Sequence, residues 1–335
     1  MPSRKKIGVV LFQLGGPDTL DAVEPFLYNL FCDPEIISFM GAGLARKPLA
    51  KFIARKRSQI VREHYAAIGG ASPIVELTNR QARALANALA PDFDATVVVA
   101  MRYWHPLTAE AIAKLQGLAL DELILLPLYP HYSFATTGSS LKEWQRLYRP
   151  DKMLRTPSAQ TSSVKMVNDF HDHPLYIAAL VERINEALQG LSLPNEIHLV
   201  FSAHGLPMSL VEKGDPYPKQ IEATVNLVRQ SGAWKNPCTL CYQSRVGKQK
   251  WLEPSLTQTI EKLANSGVHR MLVIPISFVT EHIETLHEIN IEAREQAEAL
   301  GVAEFRMMPS LNDSPTFIRA LADLVQQAAH ATDVS

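Results

Sequence analysis

One imidazole stands where a buried strand should end. In HLVFSAHGLP, residues 198–207, the apolar run Leu199, Val200, Phe201 gives way to Ser202, Ala203, His204 and Gly205. A neutral imidazole accepts a proton near pH 7 or ligates a divalent metal. The small residues beside His204 leave room for something bulky at the ring. A core or strand-capping histidine is the plain alternative, and it needs no such clearance. A second feature is EHIETLHEINIEARE, residues 281–295, in which Glu284, Glu288 and Glu292 recur every four residues. That spacing predicts one line of carboxylates along a helix face. Like charges four apart cost a helix a few tenths of a kcal/mol per pair, so helix stability does not explain the row. Aligned oxygen ligands do suit hydrated divalent cations.

Two further patterns are less specific. Arg46, Lys47, Lys51, Arg55, Lys56, Arg57 and Arg62 are interleaved with Phe39, Met40, Leu44, Leu49, Phe52 and Ile53. The stretch reads either as a solvated basic helix or as a lip, around 39–62, resting on anionic lipid. Cys238-Thr239-Leu240-Cys241 is a C-x-x-C, but zinc and iron–sulfur sites usually take four ligands, and only Cys32 remains. Two core cysteines is the simpler expectation.

These groups must be held by a scaffold, and composition bounds it. The chain has 335 residues, 47% apolar and 20% charged, with a net charge of −1. Two ordinary domains fit, wholesale disorder does not, and nothing favours nucleic acid as a partner. Three cysteines are too few for a disulfide scaffold. The basic then apolar start, MPSRKKIGVVLF, reads as a first strand, because a Gly-Gly-Pro turn follows where a signal peptide would continue. No apolar run approaches the roughly 20 residues of a membrane span, so a soluble, cytoplasmic protein is expected.

Short β-branched runs alternate with stretches of helical spacing. One set is residues 7–14, 95–101, 123–129 and a weaker 152–157; the other is 197–203, 238–244, 270–277 and 304–309. Near-continuous apolar strands alternating with helices predict parallel sheets covered on both faces. Two groups of four predict two α/β lobes, at 1–160 and 161–310. The polar stretch 157–174 reads as the crossing, and 311–335 as a C-terminal helix packing back on a lobe. Ligands bind beyond the carboxyl ends of such strands. Aromatics, imidazoles, Arg102 and carboxylates follow the runs there, without GxGxxG or GxxxxGK[ST], which points to a large flat ligand rather than a nucleotide.

Taken together, LGGP (14–17), HYAAIGGASPI (64–74), MRYWHPLTAEAI (101–112), LYPHYSFATTGSS (128–140), FSAHGLPMSLVEKGDPYP (201–218), YQSRVGKQKWLEP (242–254) and EHIETLHEI (281–289) resemble the ferrochelatase family, in the family's order, over about residues 6–326. The resemblance implies two Rossmann-like lobes, each a four-stranded parallel sheet flanked by helices, with an active-site cleft between them. It implies a lyase that inserts ferrous iron into protoporphyrin IX to form protohaem, with iron(II) and porphyrin as substrates and no cofactor required. His204 would face the macrocycle and the metal, with Glu284 opposite, and Glu288 and Glu292 would continue the metal-binding row. Leu14, Arg57, Tyr65, Arg102, Tyr132, Trp251, Phe278 and His282 would contact the porphyrin. Peripheral contact with the inner membrane would follow from the lip.

The departures from the family also inform. Animal members hold an iron–sulfur cluster through a cysteine where this chain has Phe134, and through a cysteine-bearing tail where it has HATDVS. No such cluster is expected. The branch that uses coproporphyrin III has Tyr where this chain has Leu14, which favours protoporphyrin IX. A coproporphyrin III ferrochelatase or a cobalt chelatase is the neighbouring reading, and a non-catalytic haem or porphyrin carrier the distant one. A carrier has no use for an acidic row leading to the ring centre.

Overall fold

The computed structural model describes residues 4–36, 45–149, 163–245, 247 and 249–331. They form two compact units. One comprises Met1–Tyr129, Phe134–Asp169 and Asp313–Ser335; the other comprises Pro130–Ser133 and Phe170–Asn312. In the first, β1 (Lys5–Gln13), β2 (Phe93–Met101), β3 (Glu122–Pro127) and β4 (Ser163–Met166) lie in the order β2-β1-β3-β4. In the second, β5 (His198–His204), β6 (Cys238–Gln243), β7 (Arg270–Pro275) and β8 (Glu304–Met307) lie in the order β6-β5-β7-β8. Every pairing is parallel.

Period-two side-chain placement explains both cores. Val10 and Phe12 of β1, Val98 and Ala100 of β2, and Leu123 and Leu125 of β3 share one face. Against that face lie Ala111, Ile112 and Leu115 of α4 (Thr108–Leu115) and Leu141 and Trp144 of α5 (Ser139–Leu147). Ile7, Val9 and Leu11, on the other face of β1, are equally buried, which is why β1 is apolar throughout. In the second unit Val200, Cys241, Met271 and Val273 pack on Leu256, Ile260, Ile289 and Ala297. Each such buried aliphatic contributes roughly 1.5–3 kcal/mol, enough in sum to fix where the strands end.

Three expectations need adjusting. The fourth strand expected at 152–157 lies outside the described residues, and the fourth strand of the described sheet, β4, falls in the stretch read as a crossing. It is a sheet edge, with Val164 43% and Met166 45% exposed, so it lacks the continuous apolar signature of a central strand. Because β4 belongs to the first sheet, the first unit runs past the boundary expected at 160, and the C-terminal helix Pro315–His330 also belongs to it. Glu284–Ala293 is a π-helix rather than an α-helix, and a shorter π segment, Phe134–Gly138, leads into α5. Such i→i+5 segments are rare and often sit at functional sites.

Candidate active site

In the order β6-β5-β7-β8 the winding reverses between β5 and β7, the place where open parallel sheets bind ligands. His204 is the last residue of β5, and Glu284 opens the π-helix that follows β7. They meet there: His204 Nε2 lies 3.4 Å from Glu284 Oε1. Nδ1 of His204 is tied to the Gly205 carbonyl at 2.6 Å, which leaves Nε2 as the ring atom facing the carboxylate. The His204 backbone is clamped as well. Its N–H donates to Ser277 Oγ at 2.9 Å, and Tyr217 Oη donates to its carbonyl at 3.0 Å.

Glu284 is shared between two imidazoles. Its Oε2 lies 3.3 Å from His282 Nε2, and His282 Nδ1 hydrogen-bonds to the Thr280 carbonyl at 3.0 Å. The Phe278 ring stands edge-on to His204, 6.1 Å between centroids, and 4.5 Å from His282. Burial works against a charge on His204, but the Glu284 carboxylate, its hydrogen bond and Glu288 beyond it push the imidazole up to about 9. Burial alone would raise Glu284; the charge of His204 and hydrogen bonds from both histidines outweigh it and hold the carboxyl well below the usual range. Both shifts favour imidazolium beside carboxylate, with 37% of the His204 side chain open to solvent.

The row continues along the π-helix. Glu288 is held by Ser244 Oγ and by Gln243 Nε2 at 3.4 Å, and Gln243 also donates to the Glu284 carbonyl at 3.0 Å. Burial and the neighbouring Glu284 charge push the Glu288 carboxyl up to about 7, against the Ser244 hydrogen bond. Glu292 is exposed and lies 3.5 Å from His287 Nδ1. The three carboxylates thus run from the partly exposed His204–Glu284 pair to the surface. The row presents an imidazole nitrogen and carboxylate oxygens at its inner end and oxygen atoms outward, donor types that suit iron or zinc.

The room beside His204 is not empty. A Cβ on Gly205 would stand 2.7 Å from the Gln243 carbonyl and 3.2 Å from the Trp251 ring, so the glycine admits β6 and Trp251. Clearance for a ligand, the reason read from sequence, is therefore not what Gly205 supplies. Trp251 is 8% exposed, and its indole N–H has no hydrogen-bond partner among the described residues. Tyr132 is half-buried on the same unit, its N–H donating to Gln220 Oε1 at 2.6 Å. Leu14, Arg57, Tyr65 and Arg102 belong to the other unit. Leu14 follows β1, Arg57 is exposed on α2 (Arg46–Ala67), and Tyr65 is buried at that helix's end. Arg102 follows β2 and is paired with Asp33 at 2.8 Å.

Gln243, the last residue of β6, and Ser244 after it fall among the residues the sequence places at that strand's ligand end, but the sequence gives them no role. Cys238 and Cys241 lie three apart on that strand, an odd spacing that turns their side chains to opposite faces. Cys241 is a core residue whose thiol burial pushes up to about 12.

The Ferrochelatase family model matches residues 6–329. The chain is 45% identical over 331 residues to a Ferrochelatase of Synechococcus sp., covering 98% of this chain and 84% of that protein. It is 47% identical over 322 residues to a Ferrochelatase of Gloeobacter violaceus, covering 96% and 97%. Among solved structures it resembles SirB from Bacillus subtilis with Fe3+, at TM-score 0.55 and 12% identity, covering 97% of this chain and 96% of that one. At that identity the likeness speaks for the fold alone. The family match over nearly the whole length, joined to the strand-end histidine and its acidic row, means that this chain belongs to the ferrochelatase family.

Proposed function

We propose that this enzyme, a lyase of haem synthesis, inserts ferrous iron into protoporphyrin IX to give protohaem. The observation that carries the reading is the His204–Glu284 pair at the switch point, with Glu288 and Glu292 leading from it to the surface. A porphyrin must lose two pyrrole protons before its nitrogens accept a dication, and a flat ring hides both protons and lone pairs. A pocket that holds the ring saddled exposes them, so binding energy is used for distortion.

Charge balance sets the roles. His204 starts as an imidazolium, so it must first give up a proton to serve as base or ligand. A dication arriving beside Glu284 disfavours that proton electrostatically, and Glu288, at about 7, is poised to receive it. Glu292 then stands at the solvent end of a path for iron inward or protons outward. His282 orients Glu284 through their 3.3 Å contact. Phe278, Trp251 and Tyr132, with Leu14, Arg57, Tyr65 and Arg102, are the macrocycle contacts the resemblance adds. No organic cofactor or iron–sulfur cluster enters this scheme.

A membrane role is proposed for α2. Phe52 and Ile60 are 66% and 59% exposed among the exposed Lys47, Lys51, Arg55, Lys56 and Arg57. Apolar side chains among cations suit an anionic lipid surface. Phe39, Met40 and Leu44 of the expected lip lie outside the described residues. No helix of the described residues is long and apolar enough to cross a membrane.

Anaerobic incubation with iron(II) and protoporphyrin IX tests the reading. Conversion of the porphyrin spectrum to that of haem over many turnovers supports it. Binding without turnover would make the protein a carrier, and faster metallation of coproporphyrin III or with cobalt would move the assignment to those substrates.

A further inference from the structure

In the first unit the strand end equivalent to that of β6 is also wired. Arg102 follows β2 as Ser244 follows β6, and Ser139 follows a π segment as Glu288 lies within one. Arg102 Nε donates to Ser139 Oγ at 2.7 Å, and Nη2 forms an ion pair with Asp33 Oδ2 at 2.8 Å. Asp33, at the end of α1 (Val23–Cys32), is 3% exposed. The same Oδ2 accepts from Tyr103 Oη at 2.7 Å and from Ser139 Oγ, while Oδ1 accepts the Glu35 N–H at 2.9 Å. The guanidinium lies 5.0 Å from the Tyr103 ring centroid. Backbone bonds from Arg102 to Gln13 and from Tyr103 to Leu14 dock this corner onto the end of β1.

The arrangement uses one edge of the guanidinium and leaves the other. Nη1 has no hydrogen-bond partner among the described residues, and the side chain is 18% exposed. A structural ion pair has no need of an open nitrogen at a ligand-binding strand end. An arginine whose rotamer is already fixed binds an anion without ordering cost. We infer that Asp33, with Ser139, is a positioning residue that holds Arg102 ready for a carboxylate of the porphyrin, the only anionic group such a substrate carries. This rests on the reading of Arg102 as a porphyrin contact.

The test compares Asp33→Asn, Ser139→Ala and Arg102→Ala in the full chain, by fluorescence titration with protoporphyrin IX and with its dimethyl ester in detergent, and by metallation kinetics. A charge-assisted hydrogen bond corresponds to about a tenfold effect or more. Asp33→Asn should weaken protoporphyrin binding about tenfold and raise its KM alike, with kcat within about threefold and the KM for iron(II) unmoved. Ser139→Ala should act in the same direction, less strongly. Neither should change affinity for the dimethyl ester, which a general loosening of the fold would weaken too. If Arg102→Ala weakens protoporphyrin but Asp33→Asn and Ser139→Ala do not, the positioning role is overturned. Equal losses for acid and ester overturn it as well. Full affinity in Arg102→Ala would instead remove Arg102 from the porphyrin site. Should Asp33→Asn not fold, the acid-against-ester comparison on Ser139→Ala decides.

Discussion

Replacing Glu284 with Gln removes the charge that holds His204 protonated, and the consequence can be followed without any turnover. The rise of His204 from 6.5 to about 9 is worth about 3.4 kcal/mol at full strength. With 37% of the side chain open to solvent, screening reduces this to about 1–2 kcal/mol. Because the folded-state value of His204 is raised, the pair's contribution is whole below 6.5 and is lost as pH rises through about 9. Because that of Glu284 is lowered, the contribution is also lost as pH falls below the ordinary carboxylate range. Urea titrations should therefore find Glu284→Gln less stable than wild type by about 1–2 kcal/mol at pH 6, with the gap shrinking by about pH 9.5. NMR on histidine-labelled protein, assigned with His204→Ala, should show the His204 midpoint falling from about 9 toward 6.5, since burial is then opposed only by Glu288 and the Gly205 carbonyl. Iron insertion should drop at least ~100-fold. A His204 midpoint that stays near 9, or a stability gap indifferent to pH, would refute the pairing.

Other outcomes follow from the same geometry. His204→Ala should lose at least ~100-fold in iron insertion while keeping porphyrin affinity, as read by fluorescence titration. Glu288→Gln should flatten the limb of the pH–rate profile near 7 and raise the KM for iron(II), leaving porphyrin affinity alone. The purified protein should show no iron–sulfur absorbance or labile sulfide when prepared anaerobically. Phe52→Ser with Ile60→Ser should reduce sedimentation with anionic vesicles while leaving metallation of detergent-dispersed porphyrin near wild type.

The candidate site stands out in the sequence where one residue contrasts with its surroundings. His204 ends an apolar strand, and Glu284, Glu288 and Glu292 violate the charge pairing of an ordinary helix; both were legible for that reason. The central strands were legible because burial on both faces leaves an unbroken apolar run. β4 was not, because an edge strand with exposed Val164 and Met166 can be short and mixed. The π-helix was hidden because a spacing of four suits either helical form, and only the backbone hydrogen bonds tell them apart. Gln243 and Ser244 carry ordinary polar side chains, and their importance arises only when β6 lies beside β5. Asp33 lies far in sequence from Arg102 and Ser139, so nothing local announces the ion pair.

The acidic row also shows why stability and function pull apart here. An ionised Glu288 is disfavoured by burial and by Glu284, which raises its folded-state pKa from 4.5 to about 7. For a carboxylate raised in this way, folding stability is lost as pH climbs from about 4.5 through 7, the reverse of the usual salt-bridged acid. The fold therefore carries a destabilised carboxylate at neutral pH, partly offset by Ser244 and Gln243. Glutamine would keep the shape and relieve that cost, so Glu288→Gln should melt higher than wild type at pH 8, with the gap closing near pH 5. A scaffold selected for stability alone would hold the amide. Keeping the acid is understandable if a cation or proton occupies the row in turnover, because that charge is what the excess carboxylate compensates.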